Sequence, residues 1–111
     1  MDRIYHIAQI VDWRTGLETG SYQAASLAEE GFIHCSNRDQ VEATAGRYYA
    51  GRNDLVLLEI DTAKLDAELK YEMAAIGELY PHIYGALNLD AVVDAHEFSP
   101  QPDGSFKFPY S

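Results

Sequence analysis

The chain has 111 residues, 47% apolar and 23% charged, enough to bury one core within one domain over residues 1–111 and to argue against disorder of the whole chain. Eighteen acidic against eight basic side chains leave a formal charge of −10, which repels phosphate backbones and anionic lipid and disfavours duplex nucleic acid or a membrane as partner. One cysteine, Cys35, excludes an internal disulfide and any multi-cysteine metal site.

The opening stretch MDRIYHIAQIVDW lacks the basic start and long apolar run of a signal peptide, and no segment has the apolar length to span a bilayer. A cytoplasmic location is expected. Arg3–Ile10 mixes alternating and β-branched residues and predicts a first strand at Ile4–Ile7. Asp12 is a candidate N-cap for a helix that sets Trp13 and Leu17 against the core, and Gly20 stops it. Ser21–Gly31 reads as a loop with a helical turn at Ser26–Glu30.

Phe32–Cys35 is the second predicted strand. The strongest helical pattern follows it: Ser36 and Asp39 approximate a capping box, Val41, Ala45, Tyr48 and Tyr49 form an apolar stripe, and Gly51 ends the run. The segment from Asp54 to Asp61 is apolar through Leu58, as a strand covered on both faces requires. A turn at Thr62–Leu65, a strand near Leu69–Met73, a loop at Tyr80–Gly85 anchored by Pro81 and Gly85, and a strand around Val92–Phe98 come next. The PDG at 102–104 marks a turn before a short edge strand, Phe106–Phe108. Five or six short strands with two helices, outside strict βαβ alternation, define an α+β fold.

Chemistry concentrates in EEGFIHCS, from Glu29 to Ser36. Side chains alternate faces along a strand, so Phe32, His34 and Ser36 share one face while Ile33 and Cys35 share the other. Cys35 is expected in the apolar core, protonated and inert, and His34 and Ser36 face a ligand cleft. Adjacent residues point in opposite directions, which removes a Cys–His nucleophile couple.

His6, His34 and His82 each stand beside an aromatic residue (IYH, FIH and YPHIY). If the first two strands are neighbours, His6 and His34 open on one cleft, with His82 closing it. Three readings stand: imidazoles that bind sugar hydroxyls and phosphate while tyrosines stack on a ring, a three-histidine zinc site of a hydrolase, or satisfied polar residues at strand ends. No two histidines are three or four residues apart, so no local metal motif supports the zinc site, and no metal ligand is assigned. His96 is read as structural, Arg47 and Arg52 as solvated helix-end cations, and Glu59 as the partner of a cation. No GxGxxG or GKS/GKT phosphate loop is present.

IYHIA, TGSYQAASLAEEGFIHCS, RYYAGRNDLVLLEID and YPHIYGALNLDAVV, in that order, resemble a family of small bacterial proteins known as domain of unknown function 952, over about Ile4 to Phe98. The resemblance implies a fold grouped with the ADP-ribosyltransferase superfamily: a split, antiparallel-rich sheet with NAD held in its cleft as a substrate. It implies that His6 holds ribose hydroxyls, that His34 holds phosphate or polarises the leaving group with help from Ser36, and that His82 caps the pocket. Tyr22, Tyr80 or Tyr84 then stacks on a base. The superfamily's glutamate has no ExE or QxE counterpart here; His82 stands where that acid is expected. The implied activity is that of a transferase or glycohydrolase acting on a nucleotide of the NAD or ADP-ribose type. The rival from another class is a non-catalytic interaction module with a relic pocket.

Overall fold

A computed structural model describes residues 2–109. Strand β1 (Arg3–Gln9) runs without a loop into helix α1 (Ile10–Thr19). Short β2 (Ser21–Tyr22), short α2 (Ala25–Glu30) and short β3 (Ile33–His34) follow, and then α3 (Val41–Tyr48), entered through a 3-10 turn at Arg38–Gln40. The second half is almost all strand: β4 (Leu55–Asp61), β5 (Glu68–Met73), β6 (Leu79–Tyr84), β7 (Leu87–Asn88) and β8 (Val92–Phe98).

Every pairing is antiparallel. One sheet has the order β1-β4-β8, a second the order β3-β6-β5, and β2 pairs with β7. The two larger sheets meet where the chain leaves β3. The Cys35 N–H donates to the Pro81 carbonyl of β6 at 3.0 Å, and one residue later Ser36 exchanges two backbone hydrogen bonds with Tyr5 of β1 at 2.7 and 2.8 Å. A single residue thus hands the chain from one sheet to the other. The α+β class, with few helices and antiparallel sheets, is what the sequence leads one to expect.

Alternation along β1 and β4 builds two cores, one on each face of their sheet. Ile4, Ala8, Val56, Leu58 and Ile60 join Ile33, Cys35 and Ile83 on one side. Tyr5, Ile7, Leu55 and Leu57 join Val41 and Ala45 of α3 and the Phe98–Phe106 pair on the other. The unbroken apolar run in β4 is explained by this double cover, and the buried Cys35 thiol is pushed well above its usual pKa by desolvation.

Several local expectations are corrected. Helix α1 begins at Ile10 with Gln9 at the N-cap, so Asp12 lies in its first turn, and Leu17 is exposed while Trp13 packs on the core. The side-chain oxygen of Gln40 accepts from the Asn37 N–H at 2.9 Å, which puts the capping box one residue later than Ser36–Asp39. Tyr48 leaves the apolar stripe and is exposed. No strand forms at Phe106–Phe108; that segment is irregular and buries Phe106 against Phe98, ring centroids 5.1 Å apart.

The largest correction is Tyr80–Gly85, expected as a loop. Leu79–Tyr84 is the central strand of its sheet. In an antiparallel strand the N–H and C=O of one residue point to the same side. The Pro81 carbonyl faces Cys35, so the donor that proline lacks faces the point where β3 departs and removes no rung with β5. The β5–β6 hairpin closes through a turn in which Gly77 has φ +87°, a conformation that glycine adopts freely.

Candidate functional site

A cleft of about 660 Å³ opens where β1, β3 and β6 come together, and His6, His34 and His82 all line it. The residues around it fall into a floor, a wall and a rim.

His6 and Tyr22 form the floor, 5% and 1% exposed. A carbonyl can only accept, so the 2.5 Å contact between His6 Nδ1 and the His34 carbonyl puts the proton on Nδ1. Nε2 is then the acceptor, and the buried Tyr22 hydroxyl donates to it at 2.8 Å. Both ring nitrogens have protein partners and the ring is neutral: burial lowers its pKa to about 4, against the opposing effect of the bond to His34. Burial likewise raises the Tyr22 pKa. Tyr22 is therefore not a stacking surface but a hydrogen-bond donor, and His6 holds the backbone of His34.

The wall is one face of the β3-β6-β5 sheet. On β6, Pro81 and Ile83 are buried while Tyr80, His82 and Tyr84 take the opposite face. His34 and His82 are directly paired across β3 and β6, and their rings stand 5.3 Å apart at 75°. Phe32 stacks on His82, centroids 4.1 Å apart at 19°, and meets His34 edge-on at 4.7 Å. Each imidazole is held by a carboxylate from a different element. His34 Nε2–H donates to Glu30 of α2 at 3.0 Å, and His82 Nδ1–H donates to Glu72 of β5 at 2.7 Å. The Tyr84 hydroxyl donates to the same Glu72 oxygen, and this bond with that from His82 lowers the pKa of Glu72. Tyr84 thus stands beside the cleft and acts on it through Glu72.

The rim comes from α3. Arg47 and Tyr80 both line the cleft, the Tyr80 hydroxyl raises the Arg47 pKa, and the guanidinium carbon lies 5.7 Å from the centre of the exposed Tyr48 ring. Thr44 lies behind, 3.5 Å from the Ser36 hydroxyl. Ser36 lines the cleft but is 5% exposed.

Among the described residues, no three of His, Cys, Asp and Glu are grouped to hold a metal ion, so the three imidazoles share a cleft without converging as ligands. His96 is exposed on β8, away from the cleft. Glu59 pairs with Arg3 at 3.3 Å, as expected of a carboxylate at the end of a buried strand. Arg47, read as a solvated cation, turns out to lie on the cleft, and Arg52 pairs with Asp54. Glu30 and Glu72 were missed. For Glu72 the signal was present: a hairpin centred on the Gly77 turn sets it opposite Tyr80 and diagonal to His82.

Together these features define a small α+β domain with antiparallel sheets and a cleft lined by His6, His34 and His82. The chain matches the family described as protein of unknown function (DUF952) over residues 7–95 and belongs to it. It is similar to the crystal structure of protein CC0527 from Caulobacter crescentus, with 29% identity, a TM-score of 0.86, and 95% of this chain and 93% of that one covered. It is also similar to the solution NMR structure of CC0527, with 30% identity, a TM-score of 0.82, and coverage of 95% and 91%. No curated protein matches the chain. No helix among the described residues is long and apolar enough to cross a membrane.

Proposed function

We propose that the cleft binds a nucleotide of the NAD or ADP-ribose type and acts on it as a transferase or glycohydrolase, within an ADP-ribosyltransferase-like fold. The observation that carries this reading is the meeting of imidazoles from three separate strands on one cleft whose rim bears an arginine. Its volume lies in the range of small-molecule sites. The way two antiparallel sheets part at Ser36 supports the fold assignment.

Arg47 meets the pyrophosphate, with Tyr48 and Tyr80 as rings for the base. His34 holds phosphate or polarises the leaving group, with the Ser36 hydroxyl lining the same cleft, and His82 closes the pocket beside it. His6 acts from behind, by fixing His34, instead of touching the ribose. Glu30 is the carboxylate available to a developing oxocarbenium ion, the part that no ExE or QxE supplies. One unpaired thiol fits a cytoplasmic setting.

The test is calorimetric titration with NAD and with ADP-ribose, followed by chromatography for released nicotinamide. Binding that weakens about tenfold or more in Arg47→Ala, with nicotinamide release lost in His34→Ala, is the expected result. Failure to bind either nucleotide sinks the reading, and binding without turnover turns it into that of a non-catalytic module.

A further inference from the structure

We propose that His34 and His82 form a general acid–base couple that opens a cyclic phosphodiester on ribose, so that the substrate class of the cleft includes nucleotides carrying a 2′,3′-cyclic phosphate. The proposal rests on the reading of the cleft as a nucleotide site and adds a reaction to it.

The observation is that the cleft holds two carboxylate-backed imidazoles instead of one. They face each other at paired positions of β3 and β6, 5.3 Å apart, with Glu30 on one and Glu72 on the other. His82 lines the cleft and makes no second ring hydrogen bond among the described residues, so its Nε2 has no protein partner. His34 keeps its Nε2–H on Glu30 and makes no second ring hydrogen bond among the described residues, so Nδ1 carries the lone pair that accepts a proton.

Loss of nicotinamide from NAD does not employ both rings. The departing pyridine nitrogen keeps the electron pair of the broken bond and takes no proton. A ribose alkoxide is a poor leaving group and does need one. Water attacking the same phosphorus needs a base. Two positioned imidazoles answer both demands.

In the step, the water oxygen bonds to phosphorus while His34, the ring more open to solvent, takes one of its protons. The bond from phosphorus to one ribose oxygen breaks with its electron pair on that oxygen, which takes a proton from His82. The product is a phosphate monoester beside a free hydroxyl, and the two rings reset by proton exchange with solvent. Arg47 meets the non-bridging oxygens, where negative charge grows. Glu72 is a positioning residue: it fixes the His82 ring at Nδ1 and stabilises the imidazolium. The groups facing His34 are Glu30, His82 and, beneath, His6; those facing His82 are Glu72, Lys70 and Tyr84, with Tyr80 and Arg47 in the same cleft.

The full chain is incubated with 2′,3′-cyclic AMP, and the monophosphate products are followed by chromatography from pH 5 to 9. Hydrolysis with a bell-shaped pH profile is expected, reduced roughly 100-fold or more in His34→Ala and in His82→Ala, and unchanged in His96→Ala. Glu72→Gln moves the alkaline limb to lower pH, a change that mere loss of folded protein does not produce. Circular dichroism checks the fold of each variant, and His34→Gln and His82→Gln replace any alanine variant that fails to fold. No hydrolysis above the blank overturns the proposal, as do wild-type rates in both histidine variants. ADP-ribose binding without cyclic-phosphate cleavage overturns this step and leaves the nucleotide reading intact; cleavage without ADP-ribose binding upholds this step and overturns the choice of an NAD-type ligand.

Discussion

The Tyr22 hydroxyl donates to Nε2 of His6 at 2.8 Å in a setting where both side chains are almost wholly buried. Because the opposite nitrogen donates to the His34 carbonyl, the pair ties β2 to β1 and β1 to the strand that carries a cleft histidine. Its neutral state gives it a pH signature.

His6 has a folded-state pKa of about 4, below the 6.5 or so of an unfolded histidine. Between these values the unfolded chain binds a proton that the folded chain refuses, so stability falls as pH drops through that window. The loss attributable to His6 is about 3 kcal/mol once pH is below both values. Urea unfolding from pH 7 to 4 should show this slope, and His6→Gln should flatten it. Nitrogen-detected NMR should find the Nδ1–H tautomer unchanged down to about pH 5; titration of this ring near pH 6.5 would contradict the burial argument.

Tyr22→Phe leaves the His6 acceptor buried without a donor, which costs about 1–3 kcal/mol at pH 7. The neighbouring Gly16→Ala acts by contact instead: an added Cβ lies 3.1 Å from the Tyr22 Cα and 3.2 Å from the Ser21 carbonyl oxygen, and both are backbone. We expect a further loss on the order of 1–3 kcal/mol from this overpacking. Denaturant midpoints at constant slope test both, and a neutral result for Gly16→Ala would mean that α1 can move off β2.

Cys35 should react slowly with an aromatic disulfide reagent at pH 8 in the folded protein and at once in urea. Burial raises its pKa, so the thiolate is scarce and the sulfur is covered. Complete modification of native protein within minutes would contradict the burial of the thiol.

Phe32→Ala removes the ring that stacks on His82 and touches His34 and Tyr84. Each aromatic pair contributes roughly 0.5–1.5 kcal/mol beyond area burial, so a stability loss of about 2 kcal/mol is expected. Ligand affinity should fall with it, since His82 loses the surface that fixes its plane. Thermal unfolding and calorimetric titration measure the two effects separately, and unchanged affinity would show that Glu72 alone orients the ring.

What the sequence revealed divides along physical lines. Period-two alternation sufficed to bury Cys35 and expose His34, and the apolar run of β4 announced its double cover. Gly20 marked the end of α1 because its positive φ is a local requirement. Leu79–Tyr84 escaped because Pro81 and Gly85 read as punctuation, whereas a short partner strand makes the missing donor harmless. The cleft's histidines could be nominated by their neighbours in the chain. Of their carboxylates, Glu72 was open only to a reading that set the β5–β6 register from the Gly77 turn, and Glu30 was not, since it reaches His34 across a turn held by Gly31 at φ +92°. Tyr22 was misjudged because a two-residue strand has no periodicity to display its burial.

The register of β6 also constrains how such a chain can vary in length. Losing one residue inside the strand would exchange Tyr80, His82 and Tyr84 for Pro81 and Ile83, emptying the cleft of its chemistry and filling the core with polar groups at one stroke. The hairpin tip at Ala74–Glu78 is under no such rule, yet Ala74, Ala75 and Ile76 border the same cleft. Insertions there can resize the opening and leave the paired imidazoles of β3 and β6 untouched.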